Sequence, residues 1–329
     1  MTQISRRSGL VSLSSATLLL ASCSRDVFDP AGRIAESQRD IIMISVYLML
    51  VIIVPVMIMI VWFSWRYRKG GGAKYDPKFD HSTALELGIW SVPLLIIIAL
   101  GALTWSSTHL LDPYRPLDNT HGYSKGALSD EETLTVQVVS MDWKWLFIYP
   151  QQGIATVNEL VLPVDRQVRF DITSTNMMNG FYVPTLAGMI YAMPGMQSQL
   201  HAVLNKSGNW RGLSSNYSGA GFSDMTFDVR GVSEEGFADW VRLVADTGVR
   251  LDRQRYLALE RPSEKVPVMR FTAVDDDLYR RILERCVRPD QVCMSEMPGM
   301  HGTPAKRADP AGEDGAAAKE HMTMTGRHQ

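Results

Sequence analysis

The chain has 329 residues and a formal net charge of −2. That length allows more than one folded unit, and the near-balanced charge excludes a nucleic-acid binder that works through a strongly positive surface. Apolar residues crowd the first third, which points to membrane insertion rather than one evenly mixed globule.

Residues 1–22 read as an export signal. "MTQISRRSGLVSLSSATLLLASC" has a basic head at Arg6 and Arg7, then a short apolar run over 10–20. "LASC" resembles the bacterial lipobox, which implies that Cys23 carries lipid and begins the mature chain. Residues 23–40 are then a periplasmic lead-in.

Two longer apolar runs follow. Residues 41–65 carry no charged side chain. As a helix they span about 38 Å, more than the ~30 Å of bilayer hydrocarbon. Pro55 is tolerable inside such a helix, because neighbouring groups satisfy the freed carbonyl. Residues 85–108 form the second span. Trp62, Trp65, Trp90 and Trp105 sit toward the ends, as interfacial aromatics do. The loop between, 66–84, holds Arg66, Arg68, Lys69, Lys74 and Lys78. The positive-inside rule puts it in the cytoplasm and both flanks in the periplasm. Glu86 stands at the cytoplasmic start of the second span, where an ionisable group needs water or protein beside it.

From Thr133 the period changes to two. "TLTVQVV", "QVRFDIT" and "MTFDV" alternate apolar and polar residues between turn-forming stretches. This predicts a Greek-key β-sandwich over residues 109–232. "MDWKWLFIYP" places Trp143, Trp145, Phe147 and Tyr149 on one side of a strand. That aromatic face is read either as sandwich core or as a docking surface for a partner. Residues 233–288 read as a short helical extension, with Ser233 as an N-cap before Phe237, Trp240, Val241 and Val244. His201, in "SQLHAVL", reads as a strand histidine in a packing or surface role.

Residues 289–329 are rich in Met, His, Gly and charge, and read as a disordered tail. Its methionines and histidines would suit copper, with a plain solvated tail as the blander reading. Cys286 and Cys293 are read as a disulfide pair, because the periplasm is oxidising, with a Cys/Met copper site as the alternative.

Lipobox, two-helix hairpin, "MDWKWLFIYP" and the sandwich, in that order over residues 23–285, resemble subunit II of the haem-copper respiratory oxidases. The resemblance implies a transmembrane hairpin carrying a periplasmic cupredoxin-like domain. Cytochrome c oxidase members hold a dinuclear copper centre there, on a histidine and a Cys-Ser-Glu-x-Cys-Gly-x-x-His loop followed by a methionine. In this chain those positions are Asn179, Ser214, Asn216, Ser218 and Phe222, and only Met225 is retained. The resemblance is therefore to the copper-free branch, the quinol oxidases of the cytochrome bo type.

It implies a subunit without its own cofactor or catalytic residue, with haems and copper in subunit I. It also implies ubiquinol as substrate of the complex, subunits I, III and IV as partners, and the bacterial inner membrane as location. The aromatics and the hairpin would dock on subunit I, and Glu86 would mark the entrance of a proton channel. The loop "GLSSNYSGAGFSDM" is expected to keep the shape of the copper loop, held by hydroxyl and backbone hydrogen bonds and by Phe222. A copper-bearing cytochrome c oxidase subunit and a periplasmic copper-binding lipoprotein are the alternatives.

Overall fold

A computed structural model describes residues 25–69, 72, 81–117 and 132–297. Cys23, most of the basic loop and the tail beyond 297 lie outside these residues. Helix α1, Arg33–Arg66, and helix α2, Thr83–Leu110, form an antiparallel hairpin. Both are long and apolar enough to cross a membrane, and neither buries its apolar window within the chain.

Helix α1 begins eight residues before the apolar run. The sequence reading set its start by hydrophobicity, but the first turns pack on protein instead of lipid. Arg33, Ile34, Ala35 and Ser37 are buried there. The amides of Ala31 and Gly32 donate to the Thr185 carbonyl at 2.8 Å, and Asn205 N donates to Ala31 O at 2.6 Å. A Cβ on Gly32 would lie 2.4 Å from the Leu186 carbonyl oxygen, so only glycine allows this approach. After α2, the Pro113 carbonyl accepts from His201 N at 2.9 Å. The chain on either side of the hairpin is thus fastened to the β-domain.

The β-domain is built from β1 Leu134–Met141, β2 Lys144–Tyr149, β3 Ile154–Val157, β4 Glu159–Pro163, β5 Gln167–Ser174, β6 Asn179–Tyr182, β7 Ile190–Ala192, β8 Ser198–Val203, β9 Gly208–Ser214 and β10 Thr226–Val232. The extension adds helix α3 Glu234–Ala245, β11 Arg250–Leu251, helix α4 Arg253–Leu259, β12 Met269–Phe271, β13 Ala273–Val274 and helix α5 Leu278–Leu283. One sheet has the order β12-β3-β2-β1-β5-β8 and faces a second of order β4-β10-β9-β6-β7. The parallel pairs β1–β5 and β10–β4 make the topology a crossed sandwich rather than a meander.

The alternation fixes the inner faces. Leu134, Val136 and Val138, then Val168, Phe170 and Ile172, then Met225, Phe227 and Val229 all join one core. Trp145, Phe147 and Tyr149 lie in that core, fully buried, with their rings edge-on or tilted against Phe181, Phe227 and Trp240. The docking reading of these three aromatics is therefore corrected: a strand between two sheets offers its inner face to the opposite sheet.

The outer face of β2 is buried as well. Leu146 and Ile148 pack under Tyr256, Phe271, Leu278 and Ile282 of the extension in a second core. Lys144, fully buried, points the same way. Its ammonium donates to Asp142 O at 3.0 Å, Arg261 O at 2.9 Å and Ser263 Oγ at 2.8 Å. Burial pushes its pKa down, and Asp142 opposes this.

The extension is tied on by polar contacts too. Arg270 grips buried Glu159 with two bonds, at 2.7 and 2.8 Å. Asn158, at φ 57°, accepts from Trp145 N at 2.9 Å and donates to Val266 O at 2.8 Å. Ser233 caps α3 by accepting from Gly236 N. Besides its helices the extension carries three short strands, of which β12 lengthens the sandwich sheet.

Candidate functional site

The candidate site is the loop between β9 and β10, with the β5–β6 turn that faces it. Strand pairing brings them together: β6 lies beside β9, pairing Phe181 with Ser214. Ser215 N donates to Gly180 O at 2.9 Å, and Ser214 N donates to Met225 O at 3.1 Å. Four of the positions named from the sequence converge. Ser214 Oγ donates to Asn179 Oδ1 at 3.2 Å. Ser218 Oγ points at Met225 Sδ, 4.0 Å away. Asn179, Ser214, Ser218 and Met225 are all buried. Asn216 lies beside them and donates from Nδ2 to Met178 O at 2.8 Å.

Phe222 does not join this group. Its ring leans on exposed Tyr217, 5.5 Å between centroids, in a single 3-10 turn. Phe222 therefore packs within the loop, and the contact that ties the loop to the β1–β2 turn is made by Trp143. That residue sits in the two-residue turn between β1 and β2 at φ 66°, a left-handed conformation rare for a bulky side chain. Its Nε1 donates to Ser218 O at 3.1 Å, and its ring covers Gly219 and Gly221. A Cβ on Gly221 would come within 2.5 Å of the indole. The small residues of "SGAG" are thus the seat of Trp143, a signal that sequence reading left unused.

The donor set does not fit a dinuclear copper centre. Copper at such a site needs thiolates and imidazoles. Here it would meet two hydroxyls, a carboxamide and one thioether. Ser214 is engaged with Asn179, and a serine hydroxyl does not ionise near neutral pH. The one three-residue grouping of His, Cys, Asp or Glu among the described residues is Glu284, Cys286 and Cys293. Its two sulfurs are joined to each other as a disulfide, which removes both thiolates.

Other residues named from the sequence lie elsewhere. His201 is on β8, buried, with its Nδ1 3.3 Å from Gln167 Nε2. Burial, and then nearby Arg169, hold its pKa below the ordinary histidine value. Glu86 occupies the first turn of α2 and is exposed in the isolated chain.

Comparison with known proteins agrees with this architecture. A family model described as cytochrome c oxidase subunit II, periplasmic domain, matches residues 150–232. The "Cytochrome bo(3) ubiquinol oxidase subunit 2" of Pseudomonas putida is 45% identical over 269 residues, covering 82% of each chain.

The chain belongs to the ubiquinol oxidase subunit 2 family.

The "Ubiquinol oxidase subunit 2" of Acetobacter aceti is 43% identical over 284 residues, 86% of this chain and 88% of that one. The "Quinol oxidase subunit 2" of Bacillus subtilis is 36% identical over 269 residues, 80% of each. The β-domain is accordingly the cupredoxin-like periplasmic domain of this family. A second model, the COX aromatic rich motif, matches residues 246–290. That segment is the layer that buries Lys144, Leu146 and Ile148.

Proposed function

We propose that this chain is the non-redox subunit II of a proton-translocating ubiquinol oxidase. The buried Asn179–Ser214–Ser218–Met225 cluster carries the reading. It keeps the position of a copper site while offering neutral oxygen donors and one thioether. Without that centre the complex has no way to draw electrons from a cytochrome c through this subunit. Electrons from ubiquinol then go directly to the haems and copper of subunit I, where dioxygen is reduced to water. Subunits III and IV complete the assembly in the inner membrane, and Cys23 anchors the processed N-terminus by lipid.

Docking belongs to the hairpin in this reading. Trp62, Trp90 and Trp105 and the aliphatic residues around them are exposed in the isolated chain and need lipid or subunit I against them. Glu86 lies on the same hairpin at its cytoplasmic end. From there a carboxylate can collect protons and pass them into subunit I. Its exposure in the isolated chain leaves it free to face that partner.

The test is oxygen uptake by the complex purified through this chain. Ubiquinol should sustain turnover with no cytochrome c present. Turnover that requires reduced cytochrome c would refute the assignment. Glu86→Ala should slow oxygen uptake with haem content unchanged, and unaltered turnover would remove Glu86 from the proton path.

A further inference from the structure

A cleft of about 670 Å³ opens between the sandwich and the extension. Its sandwich wall is Asp142, Thr175 and Asn176. Its opposite wall comes from residues 285–291, most of them inside the loop closed by the Cys286–Cys293 disulfide. The cleft lies toward the end of strand β5 opposite the attachment of helix α1. The hairpin is fastened near Thr185 and Leu204, and Val203 pairs with Gln167 at the start of β5. Thr175 and Asn176 follow the far end of that eight-residue strand, about 26 Å away.

The floor is apolar, made by Tyr256, Leu257, Ile282 and Val287. Tyr256 is completely buried, and its hydroxyl has no hydrogen-bond partner among the described residues. The rim carries Arg261, Arg285 and Arg288. Arg288 makes only a 4.0 Å contact with Glu260, and no ion pair engages the Arg261 or Arg285 side chains among the described residues. The Lys144 ammonium stands directly behind the wall, bonded to the carbonyls of Asp142 and Arg261. Four cations therefore surround the cleft, against the three carboxylates Asp142, Glu260 and Asp290.

We propose that this cleft binds a small organic monocarboxylate with a compact apolar body. The carboxylate would sit on the guanidinium forks of Arg261 and Arg285, whose planar geometry matches it. The body would lie on the apolar floor. A surplus of one positive charge suits a singly charged anion. A dianionic phosphate would be repelled by Glu260 and Asp290. Crevices between packed units, with an apolar floor and a few polar groups, are where small ligands commonly bind.

Benzoate is a suitable probe, with the full-length chain in detergent, in the complex with which it purifies. Titration followed by saturation-transfer NMR should give saturable binding that inorganic phosphate does not displace. Arg261→Gln with Arg285→Gln should weaken it at least tenfold. Both arginines are exposed, so the double variant should melt as the parent does. No saturable binding, displacement by phosphate, or equal affinity in the double variant would each overturn the assignment. Quinol oxidation in the double variant should stay at the parental rate.

Discussion

The hairpin and the sandwich spend their large apolar side chains in opposite directions. In the sandwich, Trp145, Phe147, Tyr149 and Phe181 are at most 1% exposed. In the hairpin, Trp62, Trp90 and Trp105 are 56%, 75% and 72% exposed. The same residue type is a self-sufficient core in one region and an unsatisfied surface in the other. Aromatic content therefore says that a surface must be covered. The period and the neighbouring layers decide whether the chain covers it itself.

Replacing one tryptophan in each region tests that contrast most severely. Trp145→Ala should cost about 3–5 kcal/mol of domain stability through lost burial and the cavity left behind. Trp90→Ala should leave the same thermal transition, followed by near-ultraviolet circular dichroism in detergent, within about 0.5 kcal/mol. Equal losses would mean that the hairpin is part of the folding core. Asn158→Ala comes next. It removes the acceptor for Trp145 N and the donor to Val266 O at a left-handed position, so a loss of about 2–3 kcal/mol is expected. Proteolysis should then open the extension before the sandwich. Ser233→Ala is milder, about 1 kcal/mol, because one helix cap is lost at an exposed end.

The smallest effect is a pH slope. His201 is held below the ordinary histidine pKa by burial and by Arg169. Its contribution is complete above the unfolded value of about 6.5 and is lost as pH falls through the lower folded value. Melting temperatures taken from pH 7.5 down to 5 should fall less steeply in His201→Gln than in the parent.

Much of this was legible in the sequence. Unbroken apolar runs gave the spans, because lipid imposes length and composition together. Period two gave the core residues of β1, β5 and β10, and Ser233 announced its helix. The less legible features depend on layers distant in sequence. Lys144 alternates with the aromatics, so it reads as outward-facing until the segment around Arg261 and Ser263 closes over it. Arg33 and Ser37 look too polar for a helix entering a membrane, yet that turn packs on the sandwich.

At the site, Asn179, Ser214, Ser218 and Met225 converge. Phe222 does not, because a 3-10 turn directs it toward Tyr217. The Trp143 seat needed the turn geometry at φ 66°, which no local pattern announces.

The metal chemistry of the loop is the point on which the functional reading stands. Electron paramagnetic resonance of the purified full-length chain, loaded with copper under mildly oxidising conditions, addresses it directly. The Asn179–Ser214–Ser218–Met225 cluster should give no mixed-valence dinuclear signal, and any bound copper should behave as isolated ions. A dinuclear signal lost on Ser214→Ala or Ser218→Ala would contradict the assignment of this chain as a subunit without a redox centre.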